Sequence, residues 1–408
     1  SESAHQQQAI GTYTYQKMNT SSDAQTVQPP PLPVEWTQIN KDESCGRPYR
    51  IPSDAMEYSQ DETEVCIVGT AGKKITYMGR DLLKTCPKVE RLILRSHLII
   101  KMEGLDTDDS KMELLELYDN QIEALENLDD VGPNLRVLDM SYNMIRDMMP
   151  VSLCPNLVEL YLANNKIKTM TGLSSLVKLK KIDLGANRIR VMEESELSGL
   201  PDLEELWLGK NKIERIGGIS KLSKLRRLDV QANRLTSVDN LEGQNLTLEE
   251  LYLSHNAITV EGLGGLSLEF PNLSTLDISR NRLTNTIPIS HLTSIEDLWL
   301  SGNEIKDFES IESLSNLGNL GCVYLEYNSI GDDFEYRKKV KQIMPSLNQI
   351  DAVPIRPSGF GDVSSIASRK VTGVLKPGIS SSVEQLRDLQ AQAIDLARSQ
   401  EAEKKQAD

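Results

Sequence analysis

Asparagine returns along most of this chain at a near-constant interval: Asn143, Asn165, Asn187, Asn211, Asn233, Asn256, Asn281 and Asn303 lie 22, 22, 24, 22, 23, 25 and 22 residues apart. Each occupies the same frame, L-x-x-L-x-L-x-x-N-x-L, as in LVELYLANNKI, LEELWLGKNKI and IEDLWLSGNEI. A unit this short cannot enclose a core of its own. It buries its apolar face only by stacking on copies of itself, so the chain must build a one-dimensional array.

The register runs back through Asn120 to His97, which replaces the asparagine, and forward to Asn328. That makes eleven units, with a degenerate twelfth around Ile67 to Ile75 expected to cap the N-terminal end. Leucines at these offsets mark a leucine-rich repeat. The expected fold is an α/β leucine-rich-repeat solenoid with a curved parallel sheet on the concave face and short helical or 3₁₀ segments on the convex face. A helical cap closes its C-terminal end. The L-x-L leucines point inward from a short strand, and the residue between them faces the other way. Asparagine carries both a donor and an acceptor, so it can satisfy backbone groups where the strand ends. These asparagines are therefore read as structural.

The repeats span residues 63–331 and the cap residues 332–355, where Tyr336, Val340, Ile343 and Leu347 share one side at helical spacing. Residues 1–62 read as a disordered extension. Its run Pro29-Pro30-Pro31-Leu32-Pro33 suits a linker or a polyproline-II ligand. Pro354 and Pro357 are expected to end regular structure, leaving 356–408 as a flexible tail. An amphipathic helix is possible over 381–400, where Val383, Leu386, Leu389 and Ile394 align.

The 60 acidic residues outnumber the 45 basic ones, a net charge of −15, which repels phosphate backbones and anionic lipid. Neither nucleic acid nor membrane is expected as a partner. No stretch approaches eighteen apolar residues, and nothing at the N-terminal end resembles a secretory signal. Cys45, Cys66, Cys86, Cys154 and Cys322 are odd in number and widely spaced, which suits reduced thiols in cytoplasm or nucleus.

The outward position of L-x-L reads Glu116, Asp139, Tyr161, Asp183, Trp207, Asp229, Tyr252, Asp277, Trp299 and Tyr324. From Asp139 to Trp299, carboxylate and aromatic alternate without a break. Two of the chain's three tryptophans stand in this column, which is expected to be exposed, as aromatic anchors of a protein interface are. A second column reads Glu159, Lys181, Glu205, Arg227, Glu250, Thr275 and Asp297; its first five members form an ion ladder that holds the sheet in register. Asp297 breaks that alternation beside Trp299 and joins the binding candidates.

Four histidines, His5, His97, His255 and His291, give no Ser-His-Asp arrangement, and there is no Gly-rich phosphate loop. Like carboxylates two repeats apart are about 10 Å apart, too far to share a metal. No catalytic residues, metal or cofactor are expected.

The segments ELYDNQIEALENL, LGANRIRVME, LWLGKNKIERI, LYLSHNAITVEGL, ISHLTSIEDLWL and VYLEYNSIGDDFEYRKKVKQIMPSLNQIDAVPIR closely resemble the regulatory-subunit-7 family of protein phosphatase 1 regulators. The similarity covers roughly residues 63–356. It implies a non-catalytic regulatory subunit whose concave face binds the catalytic subunit of protein phosphatase 1, alongside a further inhibitor subunit, in cytoplasm and nucleus. The contact positions it implies are Asp139, Tyr161, Asp183, Trp207, Asp277, Asp297, Trp299 and Tyr324. Tyr161 and Trp207 stand where that family often has Phe, and Asp183 and Asp297 where it often has Glu. The alternative is a scaffold for another protein, either a ribonucleoprotein component similar to the A-prime protein of a spliceosomal particle or a cytoskeletal adaptor.

Overall fold

The computed structural model describes residues 40–41, 48–49, 61–70, 74–78 and 82–355. The proline run and the amphipathic stretch over 381–400 lie outside these residues. Within the extension expected to lack order, β1 (Asn40–Lys41) and β2 (Pro48–Tyr49) form a short antiparallel pair. Pro48 has no N–H to donate, which an isolated two-stranded ladder tolerates.

Strands β3 to β14 follow at one per repeat, with β15 and β16 in the cap: β3 (Glu64–Val68), β4 (Arg91–Arg95), β5 (Leu114–Glu116), β6 (Val137–Asp139), β7 (Glu159–Tyr161) and β8 (Lys181–Asp183). They continue as β9 (Glu205–Trp207), β10 (Arg227–Asp229), β11 (Glu250–Tyr252), β12 (Thr275–Asp277), β13 (Asp297–Trp299), β14 (Cys322–Tyr324), β15 (Gln349–Ile350) and β16 (Val353–Pro354). The fourteen strands β3 to β16 form one sheet in sequence order, parallel except for the final β15–β16 pair. Leucines stack in register, Leu160 on Ile182 and Leu206 on Leu228. Each is fully buried, while the flanking residues of β7 and β9 are only partly so.

On the other side the chain returns through short 3₁₀ turns such as Met149–Leu153 and Glu309–Asn316, and through α1 (Leu82–Thr85) and α2 (Glu194–Leu197). A unit of some two dozen residues leaves no room for a longer helix.

The asparagine ladder explains the period. Asn187 donates from Nδ2 to the carbonyls of Leu162 (2.9 Å) and Leu184 (3.0 Å) and accepts at Oδ1 from the Ile167 N–H (3.0 Å). The same triangle recurs at Asn143, Asn165, Asn211 and Asn281, so each amide joins its own turn to the preceding one. His97 substitutes at the N-terminal end, its ring within 3.0 Å of the Ile67 carbonyl and taking the Ile75 N–H at Nδ1. Burial lowers its pKa, so it serves as a neutral imidazole.

The turn costs strain. The residue before each asparagine, or before its histidine substitute, has φ between 52 and 68°, in the left-handed region, yet only Gly302 among them is glycine. Ala186, Lys210 and Tyr327 are there at about 1 kcal/mol or more each, which the amide triangles offset.

At the C-terminal end, α3 (Tyr336–Ile343) lays Val340 against the core, with Leu347 buried just beyond. Asp351 closes the ladder: its Oδ1 accepts the N–H groups of Leu325 (2.8 Å) and Glu326 (3.1 Å), and Tyr336 donates its hydroxyl to Oδ2 (3.0 Å). Arg337 ties the helix to the Ile350 and Val353 carbonyls. Pro354, expected to end regular structure, instead pairs with Gln349 in β16. An edge strand does not require its missing N–H.

Candidate protein-interaction face

The outward column stands on β5 to β14 in register, Asp183 beside Trp207, Trp207 beside Asp229, Tyr252 beside Asp277 and Trp299 beside Tyr324. Rings two strands apart have backbones about 9.6 Å apart. Their centroids are much closer: 6.2 Å for Trp207–Tyr252, with planes only 20° apart, and 6.3 Å for Tyr252–Trp299. The aromatic side chains therefore lean together over the small residue on the strand between them. Trp299 then meets Tyr324 edge-on at 5.9 Å. The result is a continuous ladder of four rings over the C-terminal half of the face.

The aspartates are what these rings lean over. Asp229 is 4% exposed and Asp277 6%, whereas Asp139 and Asp183, which have no such ring pair above them, are only partly buried. This corrects the expectation of an exposed acidic column. Alternation here is one of size as well as charge, since a short side chain leaves space for large neighbours to close. Each aspartate accepts the N–H two residues on: Ser141 (2.9 Å), Gly185 (2.8 Å), Gln231 (2.8 Å) and Ser279 (2.9 Å). Burial pushes the Asp139 and Asp229 carboxyls up to about 6; for Asp229 the neighbouring Asp183 and Asp277 add to the rise, and its bonds from Gln231 oppose it. Asp183 and Asp277 are raised for the same reason.

The second column anchors the rings. Tyr161 donates to Glu159 (2.6 Å), Tyr252 to Glu250 (2.7 Å) and the Trp207 indole N–H to Glu205 (3.0 Å). Lys181 reaches Glu205 at 3.3 Å, and Arg227 reaches Glu205 at 3.1 Å and Glu250 at 2.6 Å. Lys181 also lies over the Tyr161 ring (5.6 Å) and Arg227 over Trp207 (5.5 Å). Burial works against the charge of Arg227, but its hydrogen bond to Glu250 and the charges of Glu250 and Glu205 raise its pKa. The register ladder thus also fixes the rotamers of the aromatic face. Asp297 sits between Thr275 and Cys322 in register, two residues before Trp299, and is partly buried.

The eight candidate residues therefore do not form one contiguous exposed set. Trp207, Trp299 and Tyr324 belong to the ring ladder, and Tyr161 stands two strands from Trp207 at its N-terminal side. Asp277 lies in the floor. Tyr252, absent from the eight, is the central ring joining both tryptophans. Its position in the column was the signal. Among the described residues, no group of three or more His, Cys, Asp or Glu side chains is placed to hold a metal ion, and no helix is long and apolar enough to cross a membrane.

A sheet of repeat strands stitched by asparagine and faced with anchored rings defines a leucine-rich-repeat protein, built as a protein-interaction scaffold. Sequence models agree: Leucine rich repeat matches residues 177–235, Leucine Rich repeats (2 copies) 271–316, and further single-repeat models 244–267 and 134–155. All four matches are models of leucine-rich repeats, the repeat that the strands and the asparagine ladder build. Acidic leucine-rich nuclear phosphoprotein 32 family member A of Drosophila pseudoobscura pseudoobscura is a distant relative, 32% identical over 119 residues, which is 28% of this chain and 43% of that protein. The chain spans less than half the length of that curated relative. Among solved structures, an internalin (InlF) from Listeria monocytogenes superposes with a TM-score of 0.59 at 21% identity, over 74% of this chain and 82% of that one. The Leptospira interrogans protein LIC12759 gives 0.52 at 22% identity, over 66% of this chain and 74% of that one. These likenesses concern the fold.

Proposed function

We propose that this chain is a non-catalytic regulatory subunit that holds the catalytic subunit of protein phosphatase 1 against its inner face, modulating its maturation, activity or targeting. The observation that carries this reading is the ring ladder Trp207–Tyr252–Trp299–Tyr324, whose members sit at or between the contact positions implied by the regulatory-subunit-7 resemblance. Rings already fixed by Glu205, Arg227 and Glu250 lose little freedom on docking, which favours binding. Asp297, Tyr161, Asp139 and Asp183 extend the contact, while Asp277 supports it from beneath. The carboxylate-rich surroundings suit a basic or metal-bearing partner surface. A further inhibitor subunit can join the same assembly, and no cofactor is required. Cytoplasm and nucleus are the proposed compartments, the latter in keeping with a relative named as a nuclear phosphoprotein.

The test is calorimetric titration of purified phosphatase catalytic subunit into the parent protein and two variants. Truncating a buried interfacial Trp typically costs at least about 2 kcal/mol, roughly thirtyfold in affinity. Trp299→Ala is expected to lose that much, and Leu246→Ala, exposed in the turn that precedes β11 rather than on a strand, to bind like the parent. Equal binding by Trp299→Ala would refute the inner-face assignment.

A further inference from the structure

Four consecutive repeats carry a cation immediately after the ladder asparagine: Lys166, Arg188, Lys212 and Arg234. Their backbone N–H groups bond to the preceding repeats at Ile145, Ile167, Ile189 and Ile213, each at 2.8 Å, so they stack directly above one another. The four equivalent segments NKIKTMT, NRIRVME, NKIERIG and NRLTSVD contain seven basic residues and three acids, Glu193, Glu214 and Asp239, in a chain whose net charge is −15. Lys168, Arg188, Arg190 and Arg234 are exposed. Like charges one strand apart repel, at a cost of some tenths of a kcal/mol per pair.

The neighbouring columns of these same repeats pair opposite charges instead. On the inner face, Lys181 and Arg227 interleave with Glu205 and Glu250, and on the flank leading into the strands Lys180 meets Glu204 (3.0 Å) and Arg226 meets Glu249 (2.7 Å). On the asparagine flank the ion pair found among the described residues is Arg234–Glu214, stretched to 3.9 Å, while Lys166 reaches the sulfur of Met144. Along this edge the stacked cations are compensated less than those of the two neighbouring columns in the same repeats.

We infer that this flank is a second docking surface, separate from the inner face, for a short acidic peptide segment of a protein partner. Three intervals of ~4.8 Å make a strip about 14 Å long, the reach of about five residues of extended chain. The four segments contain no aromatic residue on which a base could stack, as single-stranded nucleic acid binding requires. A long polyanion would also extend into the negative field of the surrounding surface, whereas a short peptide stays within the strip.

The test uses the full chain without any phosphatase, and a fluorescein-labelled hexaglutamate peptide followed by anisotropy at about 0.05 M and about 0.5 M salt. Binding is expected at low salt and should be lost at high salt. Arg188→Gln/Lys212→Gln should weaken it at least about tenfold, and Lys180→Gln/Arg226→Gln, with the same change in net charge on the compensated flank, less than about twofold. The single variant Arg188→Gln should weaken it about threefold, so the proposal remains testable if the double variant unfolds. No binding, equal loss in both double variants, or tighter binding of a deoxythymidine hexamer or of phosphatidylserine vesicles than of the peptide would each overturn the inference.

Discussion

Replacing Asn187 by Ala removes one rung of the ladder, and the structure indicates how much that costs. Four hydrogen bonds disappear: those to the Leu162, Leu184 and Gly185 carbonyls and that from the Ile167 N–H. They are not equal. Leu162 keeps a bond from Asn165 and Leu184 one from Asn211, each at 3.0 Å or less, so those carbonyls stay satisfied. The Ile167 N–H loses the acceptor that the Asn187 side chain supplied. One orphaned buried donor costs about 1–3 kcal/mol, where counting four full bonds would suggest several times more. Ala186, at φ 53°, also loses the amide that helps hold its left-handed turn. The expected destabilisation is about 1–3 kcal/mol, read from urea unfolding followed by circular dichroism with the slope unchanged. Asn319→Ala, which removes a single exposed bond to the Thr293 carbonyl, should stay within about 0.5 kcal/mol. An unchanged midpoint for Asn187→Ala would refute the ladder as a source of stability.

Two further outcomes follow from the inner face. The Asp229 carboxyl, raised to about 6 in the folded state, favours folding when protonated. Its contribution is therefore greatest below the unfolded pKa near 3.8 and is lost as pH rises through about 6. Between these limits Asp229→Asn should flatten the pH dependence of stability relative to the parent, and a carboxyl-carbon NMR titration of the parent with a midpoint near 4 would contradict the burial argument. Arg227→Ala leaves Glu205 and Glu250 without their shared cation and removes the guanidinium over the Trp207 ring, so it should cost on the order of 1–3 kcal/mol in urea unfolding and alter the near-ultraviolet circular dichroism of the tryptophans. An unperturbed spectrum would show that the ion ladder does not anchor the rings.

Much of the fold was legible because the repeat imposes its geometry many times over. Leu160 and Leu162 must point one way and Tyr161 the other, and the asparagine spacing sets the length of every turn. The cap helix was also readable, since Tyr336, Val340 and Ile343 recur at helical spacing. Asp351 was not: it follows a two-residue strand, and its role as the last rung depends on Leu325, Glu326 and Tyr336, which are distant in sequence. In the candidate site, the membership of the outward column was fixed by period two alone. The burial of Asp229 and Asp277 was not, because it arises when rings on alternate strands lean across the gap, a side-chain choice the pattern does not encode. The same contact makes Tyr252 the centre of the ladder.

The most direct measurement of the proposed interface uses the chain's three tryptophans, Trp36, Trp207 and Trp299. With 5-fluorotryptophan incorporated and Trp36→Phe used for assignment, the fluorine NMR spectrum reports separately on both inner-face rings. Addition of one equivalent of unlabelled protein phosphatase 1 catalytic subunit is expected to shift or broaden the Trp207 and Trp299 resonances together and to leave that of Trp36 in place. If both inner-face resonances remain unmoved, whether or not a complex forms, the ring ladder is not where the phosphatase binds.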